Sequence, residues 1–145
     1  AGVFNRECVS ALERRLNAHR PYLDRVEPVP FLDDTTTKNV LVDAGRLSGI
    51  VDVDVVCFGD PLWTLALTRM ALLSGEHALT YTTIWEDLLD LNDQQRTILS
   101  FYTAAFCVDF MGEVGQLFNQ AEPLAADPER VALLNRIFVE LREAL

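Results

Sequence analysis

Between Asp33 and Pro61 the 145-residue sequence carries oxygen-bearing side chains whose order suits one kind of chemistry. Asp34 and Asn39 share the polar run Leu32-Asp33-Asp34-Thr35-Thr36-Thr37-Lys38-Asn39, Asp52 follows 13 positions after Asn39, and Gly59-Asp60-Pro61 closes the stretch. Phosphoryl transfer uses such a set. A loop Asp accepts the proton of the attacking hydroxyl, an Asn on the same loop ligates magnesium, and a second Asp holds the metal that bridges the nucleotide phosphates. Magnesium takes hard oxygen ligands and keeps several waters, so one carboxylate and one amide suffice beside the phosphates. Each residue alone also fits a plainer role, since Asp and Asn favour turns and Asp60 is a good helix cap. The ordered set is what points to chemistry. Asp54, two residues after Asp52, shares its strand face if the strand continues, and otherwise ends the strand.

Positioning these groups falls to a predicted hairpin. Val40-Leu41-Val42 and Leu47 through Val56 are β-rich, and Asp43-Ala44-Gly45-Arg46 joins them with Gly45 at the turn. Such a hairpin folds Asp52 back beside Asn39. Upstream, Cys8, Val9, Leu12 and Leu16 make a helical stripe over 6–18 with Asn5 as cap, and Pro21, Pro28 and Pro30 predict an extended connection over 19–31. Downstream, Asp60-Pro61 opens a helix that Gly75 closes, and a weaker helix covers 78–90. A long apolar helix spans 93–119 with a kink near Gly112 and Gly115, and Asp127-Pro128 starts a last helix striped by Val131, Leu134, Ile137, Phe138 and Leu141. The expectation is a single, mainly α domain over 1–145, a helical bundle with one small β-hairpin region.

Composition narrows the partners. Twelve basic against 22 acidic residues leave a net charge of −10, which argues against nucleic acid. Acidity of this size suits a cationic ligand or simply a solvated surface. No apolar run approaches the ~20 residues of a membrane span, and Arg6 and Glu7 interrupt any signal-peptide pattern. Cys8, Cys57 and Cys107 are odd in number and widely spaced, which fits a reducing cytoplasm and small buried side chains rather than a zinc or disulfide framework. Trp63, Trp85, Phe101, Phe106 and Phe110 fall at helical spacings and are read as core. His19 and His77 are read as surface or cap residues, and Glu86, Asp87 and Asp90 as a solvated helix face in preference to a pocket for a cationic substrate.

The motifs resemble the aminoglycoside phosphotransferase and choline kinase-like family, which has the protein kinase-like fold. That family's loop runs His-Gly-Asp-x-x-x-x-Asn-Val-Leu-Val, then a hairpin ending Gly-Val-Ile-Asp-Trp, then Gly-Asp-Pro. Here the counterparts are Asp34 to Val42 with Asn39, Gly49-Ile50-Val51-Asp52-Val53, and Gly59-Asp60-Pro61. The resemblance implies that Asp34 is the catalytic base and that Asn39 and Asp52 are the magnesium ligands. It further implies ATP or GTP as donor, a small hydroxyl-bearing acceptor such as an aminoglycoside or metabolite, and an acceptor pocket in the helices after residue 61. Leu32 stands where the family usually has His, Asp33 replaces its Gly, Thr36-Thr37-Lys38 replaces His-Pro-Gly, and Thr64 stands where an Asp often follows Gly-Asp-Pro.

Kinases of this fold grip the nucleotide with a lysine on an N-terminal-lobe strand. Lys38 is the only lysine here and no strand-rich stretch precedes residue 30. The chain is therefore expected to be the kinase-like C-terminal lobe alone, without its N-terminal ATP-gripping lobe, and inactive in isolation. The face that meets the absent lobe, near Val26 to Phe31 and Val55 to Phe58, is expected to be apolar and to drive a homodimer. Two alternatives stand beside this reading: a non-catalytic kinase-like binding module, and a helical interaction domain whose loop match is chance. A β-rich, lysine-bearing segment upstream in the parent gene favours the enzyme over the module, and magnesium binding excludes the third.

Overall fold

A computed structural model describes residues 6–32, 39–54, 56–113 and 127–143. In chain order the elements are α1 (Arg6–Leu23), β1 (Val29–Leu32), β2 (Val40–Asp43), β3 (Arg46–Ile50), β4 (Val56–Gly59), α2 (Leu62–Ser74), α3 (Thr80–Leu88), α4 (Asp93–Glu113) and α5 (Pro128–Glu143). The protein is mainly helical, with two small antiparallel sheets, β1–β4 and β2–β3.

Helix α4 is the axis of the helical body. It packs against α1, α2 and α5, and so buries more than one face: Ile98, Leu99, Phe101, Ala104, Phe106, Cys107 and Met111 are all in the core. A helix enclosed on several sides loses the usual polar stripe. Its two buried hydroxyl-bearing side chains are satisfied locally or across the core, with Thr103 Oγ1 donating to the Leu99 carbonyl at 2.7 Å and Tyr102 to Asp60 at 3.2 Å. From α2 come Leu62, Leu65, Ala66 and Met70, and from α5 the predicted stripe of Val131, Leu134, Ile137 and Phe138. Phe101 and Phe106 are core, while Trp63, Trp85 and Phe110 pack half-buried against it.

Helix ends follow local chemistry. Asp127 Oδ1 accepts from Arg130 N–H at 3.0 Å, as its cap role requires. A reciprocal capping box opens α4, with Asn92 Oδ1 accepting from Gln95 N–H and Gln95 Oε1 from Asn92 N–H, each at 3.0 Å. Helix α2 stops at Ser74 as expected, but the left-handed residue is Glu76 (φ 54°), not Gly75. Glu76 N–H reaches the Leu73 carbonyl at 3.1 Å and His77 N–H that of Leu72 at 2.9 Å, a Schellman closure. Asp90 (φ 49°) closes α3 the same way, so it serves the backbone rather than a pocket.

Two expectations upstream are corrected. Helix α1 does not stop at residue 18; it runs through Pro21 to Leu23. Proline there removes one hydrogen bond in the last turn. Tyr22 and Leu23, packed on the core, need that turn. The freed C-terminal carbonyls find partners, since Asp24 N–H donates to Arg20 O at 2.9 Å and Arg25 Nε to Pro21 O at 2.6 Å. His19 is not a surface residue: its ring lies 5.0 Å from that of Phe101, and its Nε2 is buried without a partner among the described residues. The third correction concerns strand length. The returning strand of the hairpin ends at Ile50, and Val56–Gly59 instead forms a separate sheet with Val29–Leu32, in the register Pro30 opposite Phe58 and Leu32 opposite Val56. The predicted long helix is described as far as Glu113, so the predicted kink at Gly115 lies outside the described residues.

Candidate functional site

The β2–β3 hairpin is closed by a two-residue turn, Ala44 (φ 46°) and Gly45 (φ 75°). Two consecutive left-handed residues make a type I′ turn, whose twist matches that of the paired strands. Beyond the turn the register runs Asp43–Arg46, Val42–Leu47, Leu41–Gly49 and Val40–Ile50, with Ser48 as the extra residue of a bulge. One further backbone bond extends the ladder, from Val51 N–H to the Asn39 carbonyl at 2.9 Å. This bond brings Asn39 to within one residue of Asp52.

At Asp52 the strand gives way. Its φ of 58° is left-handed, a conformation in which a non-glycine residue is uncommon and Asp is among the few that tolerate it. A regular strand would have sent Asn39 and Asp52 to opposite faces, because Asn39 pairs with Val51 and neighbours alternate. The left-handed step breaks that alternation where the candidate ligand stands. It also removes the argument that Asp54 shares a strand face with Asp52, since residues 51–54 are not strand. Both Asp52 and Asp54 are exposed, and Asn39 is half-buried.

Asp33, Asp34, Thr35, Thr36, Thr37 and Lys38 lie outside the described residues. The donor set at Asn39 and Asp52 is one amide and one carboxylate, both hard oxygen ligands. Among the described residues no group of three or more His, Cys, Asp or Glu could hold a metal by itself. One amide and one carboxylate leave most of a magnesium shell to other donors.

Asp60 does more than cap α2. It is buried; Oδ1 accepts from Leu62 N–H at 2.9 Å, and Oδ2 accepts from the Tyr102 hydroxyl at 3.2 Å. The Tyr22 phenol of α1 lies close enough to feel the same carboxylate. Burial, together with this carboxylate, pushes both phenols well above their ordinary range. One side chain therefore ties α1, α2 and α4 together directly after β4. Sequence reading found the cap, but the tyrosines come from remote positions. Thr64, in the place of the family's Asp, has a buried Oγ1 with no partner among the described residues.

The acidic residues of α3 and its end are divided. Glu86 holds Arg69 at 3.2 Å and Arg96 at 3.0 Å, so it is an ion-paired link between α2, α3 and α4 and not part of a solvated face. Asp87 and Asp90 are exposed. Cys8 and Cys107 are buried free thiols, Cys107 pushed up to about 12 by burial, and Cys57 is half-buried and also free. Among the described residues no helix is long and apolar enough to cross a membrane.

A polar loop, a bulged hairpin and a Gly-Asp-Pro helix start, in that order, define a class of protein. The model of the phosphotransferase enzyme family matches residues 3–97, and the chain belongs to that family. This is the aminoglycoside phosphotransferase and choline kinase-like group that the motifs resemble. The matched stretch contains the loop, both sheets, α2 and α3, and ends early in α4. No curated protein and no solved structure matches the chain.

Proposed function

We propose that this chain is the kinase-like helical lobe of a magnesium-dependent phosphotransferase, which moves the γ-phosphoryl group of ATP or GTP to a hydroxyl of a small acceptor. The observation that carries the reading is the Val51–Asn39 backbone bond beside the left-handed Asp52, which joins two candidate ligands far apart in sequence. Asn39 and Asp52 would hold magnesium, which would supply positive charge to offset that developing on the transferred phosphoryl group. Asp34 would accept the acceptor's proton and orient its oxygen toward the phosphorus. The type I′ turn and the bulge fix the hairpin that carries both ligand positions, while Asp60 fixes the start of the helix α2 that follows.

The apolar face of β1–β4 supports a lobe that is covered in the complete protein. Phe58 is 72% exposed and Val56 51% exposed, and Phe58 shares its face with the exposed Pro30. A lysine-bearing N-terminal lobe is the partner that would cover this face and align the nucleotide. Without that cover the chain is expected to pair with a second copy and to show no turnover. The free thiols fit work in the cytoplasm.

The test is magnesium-dependent ATP consumption by the complete protein against a panel of hydroxyl-bearing acceptors. Asp34→Asn is expected to lower kcat by roughly 10²–10⁴-fold with unchanged folding, and Asp52→Ala to abolish the magnesium-dependent turnover. Turnover unaffected by either substitution overturns the reading. Nucleotide binding without turnover in the unsubstituted protein would make it a non-catalytic binding module instead.

A further inference from the structure

Away from the hairpin, a cleft of about 480 Å³ lies between α1 and α5. Arg14 and Arg15 of α1 and Arg142 of α5 line it, together with apolar groups that include Ala11, Leu12 and Phe138. The volume is that of a small-molecule site. Three arginines lining one cleft, Arg14 and Arg142 of them exposed, are conspicuous in a chain of net charge −10. The carboxylate-paired arginines of the described residues are elsewhere: Arg20 with Asp24, and Arg69 and Arg96 with Glu86. Among the described residues, no carboxylate lies within 4.0 Å of Arg14, Arg15 or Arg142. A second observation shows that Arg142 reaches toward α1: its charge opposes the effect of burial on the Cys8 thiol.

Like charges that line one cleft repel, and they are relieved by an anion that accepts from several guanidinium forks at once. A phosphate dianion has three terminal oxygens to offer, whereas a carboxylate has two. The apolar lining beside Phe138 and Leu12 is wasted on a bare ion and suits a ligand with an apolar body. We propose that the α1–α5 cleft binds a small phosphate monoester, with its phosphate on Arg14, Arg15 and Arg142 and its apolar body on Leu12 and Phe138. This site shares no residue with Asn39 and Asp52 and does not depend on the phosphotransfer reading.

The test is a titration of the chain with phenyl phosphate at low salt with EDTA present, followed by amide and side-chain shifts in NMR spectra. Saturable shifts around Ala11 and Phe138 are expected, with phenyl phosphate bound more tightly than inorganic phosphate or benzoate. Arg14→Gln and Arg142→Gln are each expected to weaken binding about ten-fold, with unchanged melting temperatures. Arg46→Gln, in the hairpin, is expected to leave binding unchanged. No saturable binding, benzoate bound as tightly as phenyl phosphate, or an equal loss in Arg46→Gln would overturn the proposal.

Discussion

The helical body and the β segment follow opposite rules. In the body, α4 is enclosed by three helices, its polar side chains find partners inside, and the ends of α2, α3 and α4 are closed by local hydrogen bonds. In the β segment, Val42 is 64% and Leu47 68% exposed, the sheets have two strands each, and one candidate ligand sits in left-handed backbone. A two-stranded sheet is marginal by itself, so the segment borrows its stability from the body, through Asp60 and α2. Stability and the candidate ligands thus lie in different parts of one chain.

That division predicts a steep gradient of mutational cost. Phe138→Ala, in the centre of the body, is expected to destabilise by about 3–5 kcal/mol in urea melts. Asp60→Ala leaves the Leu62 N–H and the Tyr102 hydroxyl without their acceptor, and about 2–3 kcal/mol is expected, with Asp60→Asn milder. Gly45→Ala meets no steric neighbour but must hold φ near 75°, a cost of about 1–2 kcal/mol that should appear as faster hydrogen exchange in β2 and β3 alone. Leu47→Ala, on the exposed hairpin, is expected to stay within about 0.5 kcal/mol. A Leu47→Ala loss as large as that of Phe138→Ala would dissolve the comparison.

Alkaline pH sharpens it. Tyr22 and Tyr102 have native values raised above the ordinary 10.0, first by burial and then by Asp60. The native state therefore holds these protons more tightly than the unfolded chain. Their contribution is intact below about pH 10 and is lost as pH rises through the raised native values. Urea melts between pH 9 and pH 11.5 (roughly the onset of phenol titration) should show a shallower loss in Tyr102→Phe than in the unsubstituted protein.

How far the sequence reached depended on the range of the interaction. The Ala44-Gly45 turn, the Asp60-Pro61 start of α2 and the Asp127-Pro128 start of α5 are written in adjacent residues, and the structure has them. The core stripe of α5 is equally local. Three features were not legible, each because a distant contact outweighed a local signal. Pro21 ought to end α1, but packing of Tyr22 and Leu23 carries the helix past it. Val56 looks like the continuation of β3, yet its strand pairs with Val29–Leu32 across the whole hairpin. Asp60 reads as a cap, while its tyrosine partners come from α1 and α4. Within the candidate site, the order of Asn39 and Asp52 was legible; the left-handed step that ends the strand at Asp52 was not, since Asp tolerates that conformation without advertising it.

The central claim, that Asn39 and Asp52 form one divalent-metal site, is tested most directly by titrating the chain with Mn²⁺ and following amide line broadening by NMR. The account predicts weak binding that broadens the amides of Asn39, Val51 and Asp52 before all others and is lost in Asp52→Ala. Broadening that spares the hairpin, or that centres on Asp87 and Asp90 at the end of α3, would contradict it.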